Sequence, residues 1–343
     1  MRTERQTSLP SASLTHTNPP RTGRDGLLRL GFERSGNATV MRRCRYTLPL
    51  QVLSPLALDD GSSYLLLLNP TGGVLGGDRL RTEISLGENA HACLSTPSAT
   101  RVYRTNGAPA KIGTEICMGR NATLEYLPDH VIPHPGSSLR QSLRIEMEEG
   151  SRGIFFDGFS SGRVALGEAW QFRDFDSRTE IFLRGEPIFA NRTKIAGTQS
   201  FRRSGLQPRH TAANDRAAPL HQSLLIPERA ATGEGADKEF SESRDLSSPD
   251  PSALNRMGGY AYCGSMLIVG EQFEDWRALV DALRAALDVA PEIFGGASLL
   301  AHCGCSVRYL AHSAIDFHAA TQNLWAIARQ HLLNLPPLAL RKY

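Results

Sequence analysis

Between Thr39 and Leu183 the apolar residues come in short runs, and none keeps a helical period. Leu28, Leu30 and Phe32 alternate with other residues within 26–34, which predicts an opening strand. Leu80 to Leu86 and Lys111 to Met118 alternate in the same way and predict half-buried strands. Tyr64-Leu65-Leu66-Leu67-Leu68 is apolar throughout and reads as a buried strand. Further strands are predicted at Thr39–Arg43, Thr47–Leu50, His91–Thr96, Ala99–Arg104, Ala122–Leu127, Ser142–Met147, Gly153–Phe156, Gln171–Arg173 and Thr179–Leu183. They recur roughly every 8–15 residues, with Gly, Pro, Asn and Asp between them, as in an all-β fold.

The pattern changes after Gly258–Gly270, which reads as one more strand. Trp276, Leu279, Val280, Leu283 and Leu287 share a helical face within 274–289, and Pro291 ends that helix. Ala301–Leu310 reads as a strand. A second helix is predicted from near Ser313 or Asp316 to about Asn334, with Phe317, Ala320, Leu324, Ile327 and Ala328 as its stripe. Pro336-Pro337 stops it. The fold class expected is mainly β, a layered or solenoid-like stack of sheets with two C-terminal α-helices. No fixed-length repeat is visible, which argues against a regular propeller or β-helix.

Composition sharpens this picture. The chain has 343 residues, 41% hydrophobic and 21% charged, with a formal net charge of +3. That suits a soluble globular protein, and the charge is too small and dispersed to predict nucleic-acid binding. No apolar run is long enough for a membrane span. Residues 1–25 are rich in Arg, Ser, Thr and Pro and are expected to form a disordered leader. Residues 203–255 are dominated by Gln, Pro, Ser, Asp, Glu and Arg. They are expected to be a disordered insertion within a single domain over 26–340. Cys44, Cys93, Cys117, Cys263, Cys303 and Cys305 show no C-x-x-C spacing, as expected of reduced thiols in the cytoplasm.

The candidate chemistry begins at Asn69-Pro70-Thr71-Gly72-Gly73-Val74-Leu75-Gly76-Gly77-Asp78. Gly72 to Gly77 has the span of a phosphate loop, but Asp78 stands where the lysine should be and a strand follows instead of a helix. A carboxylate there repels phosphate, so Gly72, Gly73, Gly76 and Gly77 are read as a tight structural turn. The acids Asp78, Glu125, Asp129, Asp157 and Glu168 sit in no recognisable hydrolase spacing, and a plain turn or solvated charge is the simpler reading of each. His302, Cys303 and Cys305 offer soft ligands for nickel or zinc. Strand alternation would put both thiols on one side and the imidazole on the other, and a buried structural cysteine is the common case. His130 and His134 read as loop histidines. No catalytic constellation emerges, so a scaffold or binding protein is expected and not an enzyme.

Five further blocks accompany the glycine run in order. They are Thr96-Pro97-Ser98-Ala99-Thr100-Arg101-Val102-Tyr103-Arg104, Glu125-Tyr126-Leu127-Pro128-Asp129-His130-Val131-Ile132-Pro133, Gly162-Arg163 with Ala165-Leu166-Gly167-Glu168, Gly258-Gly259-Tyr260, and Val307-Arg308-Tyr309-Leu310. Together they resemble the urease accessory protein D family over about 26–200 and 256–340. Arg101 replaces that family's usual Lys, and the C-terminal Leu340-Arg341-Lys342-Tyr343 lacks its Arg-x-Trp. The leader and the insertion have no counterpart in the family core.

The resemblance implies a maturation factor. Such a protein would bind apo-urease together with a helical accessory protein F and a GTPase accessory protein G, and help insert nickel, with G hydrolysing GTP. It implies no tightly bound cofactor but nickel in transit along an internal path, for which Asp78, Glu125, Asp129 and Glu168 are the candidate lining groups. Weak, sequential ligands suit an ion that must leave again. The two C-terminal helices are the expected contact for F, because helices pack on helices. The alternative reading is an independent nickel- or zinc-binding protein using His302, Cys303 and Cys305.

Overall fold

The computed structural model describes residues 24–198 and 257–338. The expected leader, apart from Arg24 and Asp25, and the expected insertion lie outside the described residues. So does the Arg341–Tyr343 end.

Most of the described chain zigzags between two sheets. The strands are β1 (Asp25–Ser35), β2 (Ala38–Thr47), β3 (Ser63–Leu68), β4 (Arg79–Leu86), β5 (His91–Ser95), β6 (Ala110–Met118) and β7 (Thr123–Leu127). They continue as β8 (Ser138–Met147), β9 (Arg152–Ser160), β10 (Asp174–Leu183) and β11 (Glu186–Ala196). After the gap come β12 (Tyr262–Gly270), helix α1 (Trp276–Asp288), β13 (Ile293–Leu299), β14 (Gly304–Ala311) and helix α2 (Ala314–Leu333). From β3 to β10 successive strands fall in alternate sheets. The first sheet has the order β11-β10-β8-β6-β4-β1-β2, and the spine of the second runs β13-β14-β12-β9-β7-β5-β3. The strands of this zigzag pair in parallel within each sheet. The architecture is the expected solenoid-like stack.

The absence of a visible repeat has a simple cause. In the second sheet Ser63 pairs with Ala92, Ala92 with Leu124 and Leu124 with Gly153, steps of 29, 32 and 29 residues. In the first sheet Arg79 pairs with Lys111, Lys111 with Arg140 and Arg140 with Asp176, steps of 32, 29 and 36. The coils are stacked, but their connections vary too much for a fixed period.

Burial explains the two kinds of strand signal. The second sheet is covered on both faces. Ala92, Leu94, Leu124, Tyr126, Phe155 and Phe159 point into the core between the sheets. Cys93, Leu127, Ile154 and Phe156 point into a second core beneath the helices. Strands covered on both faces read as continuous apolar runs, as Tyr64–Leu68 does. The first sheet is covered on one face, so β4 alternates exposed and buried positions along its length. Each fully buried Leu or Phe contributes about 1.5–3 kcal/mol relative to exposure.

Some elements differ from expectation. Gln171–Arg173 is a turn, and its strand begins at Asp174. The edge strands β11 and β13 were not predicted. The helices match closely. Asp275 caps α1 by accepting from the Ala278 amide. Ser313 Oγ accepts from the Asp316 amide at 3.1 Å to start α2, and Asn334 ends it in the left-handed conformation, ahead of the prolines. The buried face of α2 is rotated from the expected stripe: it includes Thr321, Trp325 and Arg329, while Ala320 and Ile327 are only half-buried.

Candidate functional site

The glycine run carries the chain from β3 in one sheet to β4 in the other. Gly72 and Gly77 have positive φ, which only glycine adopts freely. A Cβ at Gly73 would lie 2.6 Å from the Arg101 carbonyl oxygen, and one at Gly76 would lie 2.7 Å from Thr105 Cγ2. The close approach is to Arg101 in the Thr96–Arg104 block and to Thr105 just after it. Val74 donates to the Arg101 carbonyl at 2.8 Å and accepts from the Tyr103 amide at 2.9 Å. Two sequence motifs are therefore one physical unit. Asp78 closes the turn: it is buried, its Oδ2 accepts from the Leu75 amide at 2.8 Å, and Arg24 stands 3.8 Å from its Oδ1.

Beside this unit a cavity of about 390 Å³ opens between the sheets. Gly72, Gly73, Val74 and Thr96–Arg101 line it, together with Asp129, Gln141 and Asp157. A smaller cavity of about 100 Å³ adjoins it across Asp157 and continues toward Asn191 and Arg308. Asp157 shares its side of β9 with Phe155 and Phe159, so it faces the inter-sheet space. It accepts from Gln141 Nε2 at 3.0 Å and from Ser177 Oγ at 3.0 Å. Burial outweighs these bonds and raises its pKa.

Asp129 lies in the segment after β7. Its amide donates to Thr96 Oγ1 at 2.8 Å, and His130 returns a carbonyl to the Thr100 amide. Asp129 Oδ1 is 2.9 Å from His130 Nδ1 and 3.8 Å from His318 Nε2 on α2. Burial pushes the carboxyl up, but the His130 hydrogen bond and the two imidazoles outweigh it and bring the pKa to about 2. Among the described residues, Asp129, His130 and His318 are the group of metal-ligating side chains that converges, with ligand atoms within 4.8 Å of one another. The expectation of a solvated loop histidine at 130 is corrected: His130 is buried against Tyr262 and Phe317. The available signals were its place beside Asp129 and the position of His318 next to the core residue Phe317.

The other expected carboxylates lie elsewhere. Glu125 is wholly buried on the helix side of β7. Its oxygens accept from Trp325 Nε1 at 2.7 Å and Arg329 Nη1 at 2.8 Å, and His91 Nε2 lies 2.9 Å away. Arg329 also bonds Asp60 and donates to the Pro336 carbonyl. Trp325 and Arg329 carried no sequence signal beyond their helical position. Glu168 forms a two-pronged ion pair with Arg163, at 2.5 and 2.7 Å, in a small hairpin.

The thiol cluster does not assemble. His302 is exposed in a turn. Cys303 packs against the inter-sheet core, while Cys305 packs into the core under the helices. The strand starts only at Gly304, so the alternation expected to place both thiols on one side does not reach Cys303. Burial pushes the Cys305 thiol up to about 12, against forming the thiolate a metal needs.

Two stacked sheets around a largely apolar cavity that carries a few acidic and amide groups, with helices clamped over one sheet, define a β-solenoid fold. The family model described as UreD urease accessory protein matches residues 24–235 and 235–342, and the chain belongs to that family, as its motifs suggest. It is 28% identical over 299 residues to the urease accessory protein UreD of Mycolicibacterium gilvum, covering 86% of this chain and 89% of that one. It is 35% identical over 172 residues to UreD of Dechloromonas aromatica, covering 50% and 60%, and 30% identical over 177 residues to UreD of Klebsiella aerogenes, covering 52% and 66%. The matched stretches thus span less than two-thirds of the latter two relatives. Among the described residues no helix is long and apolar enough to cross a membrane.

Proposed function

We propose that this chain is a cytoplasmic urease maturation factor, a non-catalytic scaffold that helps insert nickel into apo-urease. It acts with the helical accessory protein F and the GTPase accessory protein G, and G hydrolyses the GTP. Nickel is cargo here and is not retained. The observation that carries this reading is an inter-sheet cavity, mostly apolar but with Asp129, Gln141 and Asp157 on its wall, in a chain of the UreD family. Asp129 and Asp157 give it oxygen ligands, and Gln141 adds a neutral one. Such groups hold a divalent ion weakly enough to release it, unlike a closed thiolate site.

Among the four carboxylates first considered, Asp129 is the one that faces this route. Asp78, Glu125 and Glu168 are occupied with a turn, a helix anchor and a hairpin. For F, the helical side offers an apolar hollow between the end of α1 and the start of α2, with Val289 and Ile315 exposed beside it.

The test is urease activation in cells lacking this chain. The wild-type gene restores activity, and tagged protein co-purifies with F, G and apo-urease. Asp129→Ala and Asp157→Ala are expected to lose most of the rescue while still capturing the partners. No rescue by wild type, or no capture of any partner, would sink the proposal.

A further inference from the structure

We infer that Asp129, His130 and His318 form an exchangeable binding site for a divalent transition-metal ion, set at the boundary between the surface under α2 and the inter-sheet cavity. Its place on a nickel route rests on the function proposed above, but the site itself does not.

The donor set comes first. Two imidazoles and one carboxylate suit nickel or zinc and discriminate against magnesium or calcium, which prefer oxygen alone. The absence of a thiolate favours release over retention.

The geometry is close to closure. Ligand atoms around an ion at about 2.1 Å lie roughly 3–3.5 Å apart in a tetrahedral site. Asp129 Oδ1 is already 2.9 Å from His130 Nδ1 and 3.8 Å from His318 Nε2. The widest separation in the group is within 4.8 Å, so a small turn of the His318 side chain completes it. An arriving ion would take the place of the hydrogen bond between His130 Nδ1 and Asp129, and any proton on Nδ1 would be released to solvent.

Position is the second, independent observation. The side chains of Asp129 and His130 are 2% and 6% exposed, while that of His318 is 36% exposed. Asp129 borders the large cavity on one side, and on the other a small hollow under α2 that His318 also borders. An ion taken up by His318 therefore meets Asp129 on the wall of the cavity. The rings of Tyr262 and Phe317 pack edge-on against His130 and fix its plane.

Equilibrium dialysis of the purified full chain against nickel and, separately, zinc tests the site. His318→Ala and Asp129→Asn should each weaken binding at least tenfold, while His331→Ala, at the far end of α2, should leave it unchanged. X-ray absorption of the nickel-loaded wild-type chain should show imidazole ligands and no sulfur. Circular dichroism of each variant checks that the fold persists, and His318, half-exposed on a helix, tolerates Gln as a second substitution. Unchanged nickel binding in folded His318→Ala and His318→Gln, or a sulfur-ligated ion in the wild type, would overturn the inference. None of these measurements needs F, G or urease. A chain that binds nickel here yet fails to activate urease defeats only the maturation proposal, and a chain that activates urease but whose nickel binding is untouched by these substitutions defeats only the inference.

Discussion

Arg329 and Glu125, 204 residues apart in the chain, meet in a buried ion pair with Nη1 2.8 Å from Oε1. Their side chains are 1% and 0% exposed. The same guanidinium reaches Asp60 and the Pro336 carbonyl, and Trp325 donates to the second Glu125 oxygen. One residue on α2 thus ties the helix to two parts of the β stack. The pair is not a large net source of stability, because both charges left water to form it. Its geometry does fix where α2 lies.

Removing one partner should therefore be costly. Arg329→Leu leaves the buried Glu125 without its guanidinium partner and should lower stability by about 3–5 kcal/mol in urea denaturation. Trp325→Phe, which deletes one donor, should cost about 1–3 kcal/mol. An Arg329→Leu loss below about 1 kcal/mol would show that α2 is held by its apolar face alone.

The glycine turn gives a second expectation. Gly73→Ala forces a Cβ against the Arg101 carbonyl and should destabilise by about 1–3 kcal/mol, as overpacking does. Gly296→Ala, where nothing lies within 4 Å, should be neutral. Comparing the two denaturation midpoints separates a packing requirement from a general intolerance of alanine.

Asp78 can be assigned by chemistry alone. Asp78→Asn keeps an oxygen for the Leu75 amide but removes the charge. If the residue serves the turn, activation of urease in cells stays near wild type, whereas Asp78→Ala loses part of it through instability. Loss of activation by Asp78→Asn in a protein of normal stability would instead make it an ion ligand.

Acid should loosen the first sheet. Arg192 hydrogen-bonds Asp176 and lowers its pKa. Burial raises that of Asp174, but Arg140 and Ser138 outweigh it and the net shift is downward. A carboxyl with a depressed folded pKa stabilises the fold above its unfolded value of about 3.9 and loses that contribution as pH falls through the folded value. Thermal unfolding midpoints should fall below about pH 4. Asp176→Asn should lower the midpoint at pH 7 and make little difference at pH 2.

The thiols carry the last prediction. Cys303→Ala with Cys305→Ala should leave nickel binding unchanged in equilibrium dialysis, since the two side chains pack into different cores. Loss of binding would restore the thiol cluster as a site.

How much of this was legible follows from which faces are covered. Leu80–Leu86 and Tyr64–Leu68 announced strands because one sheet has an exposed face and the other has none. β11 alternates half-buried and exposed positions at a sheet edge, and Asn191, Arg192, Thr193 and Lys194 in its middle interrupt the apolar residues Ile188, Phe189 and Ile195 toward its ends. β13 carries two glycines in a short edge strand and gave no clear signal. The metal-ligating group was only partly legible for another reason. Asp129 and His130 are neighbours, but His318 arrives only through the docking of α2, and nothing in local spacing records that. Glu125 shows the converse: its motif was plain, and its engagement by Arg329 and Trp325 was not.

The stack is finite for a physical reason. Its parallel strands are flanked by antiparallel ones at every end: β2 and β11 in the first sheet, β12 and the short Gln51–Val52 strand in the second. The two adjoining cavities lie crosswise to the strands, from Leu28 and Leu67 at one end to Asn191 and Arg308 at the other. The count of coils between those end stops therefore acts as a ruler. Adding or deleting one coil would change the span from end to end by a strand spacing, about 4.8 Å, without altering any single side chain.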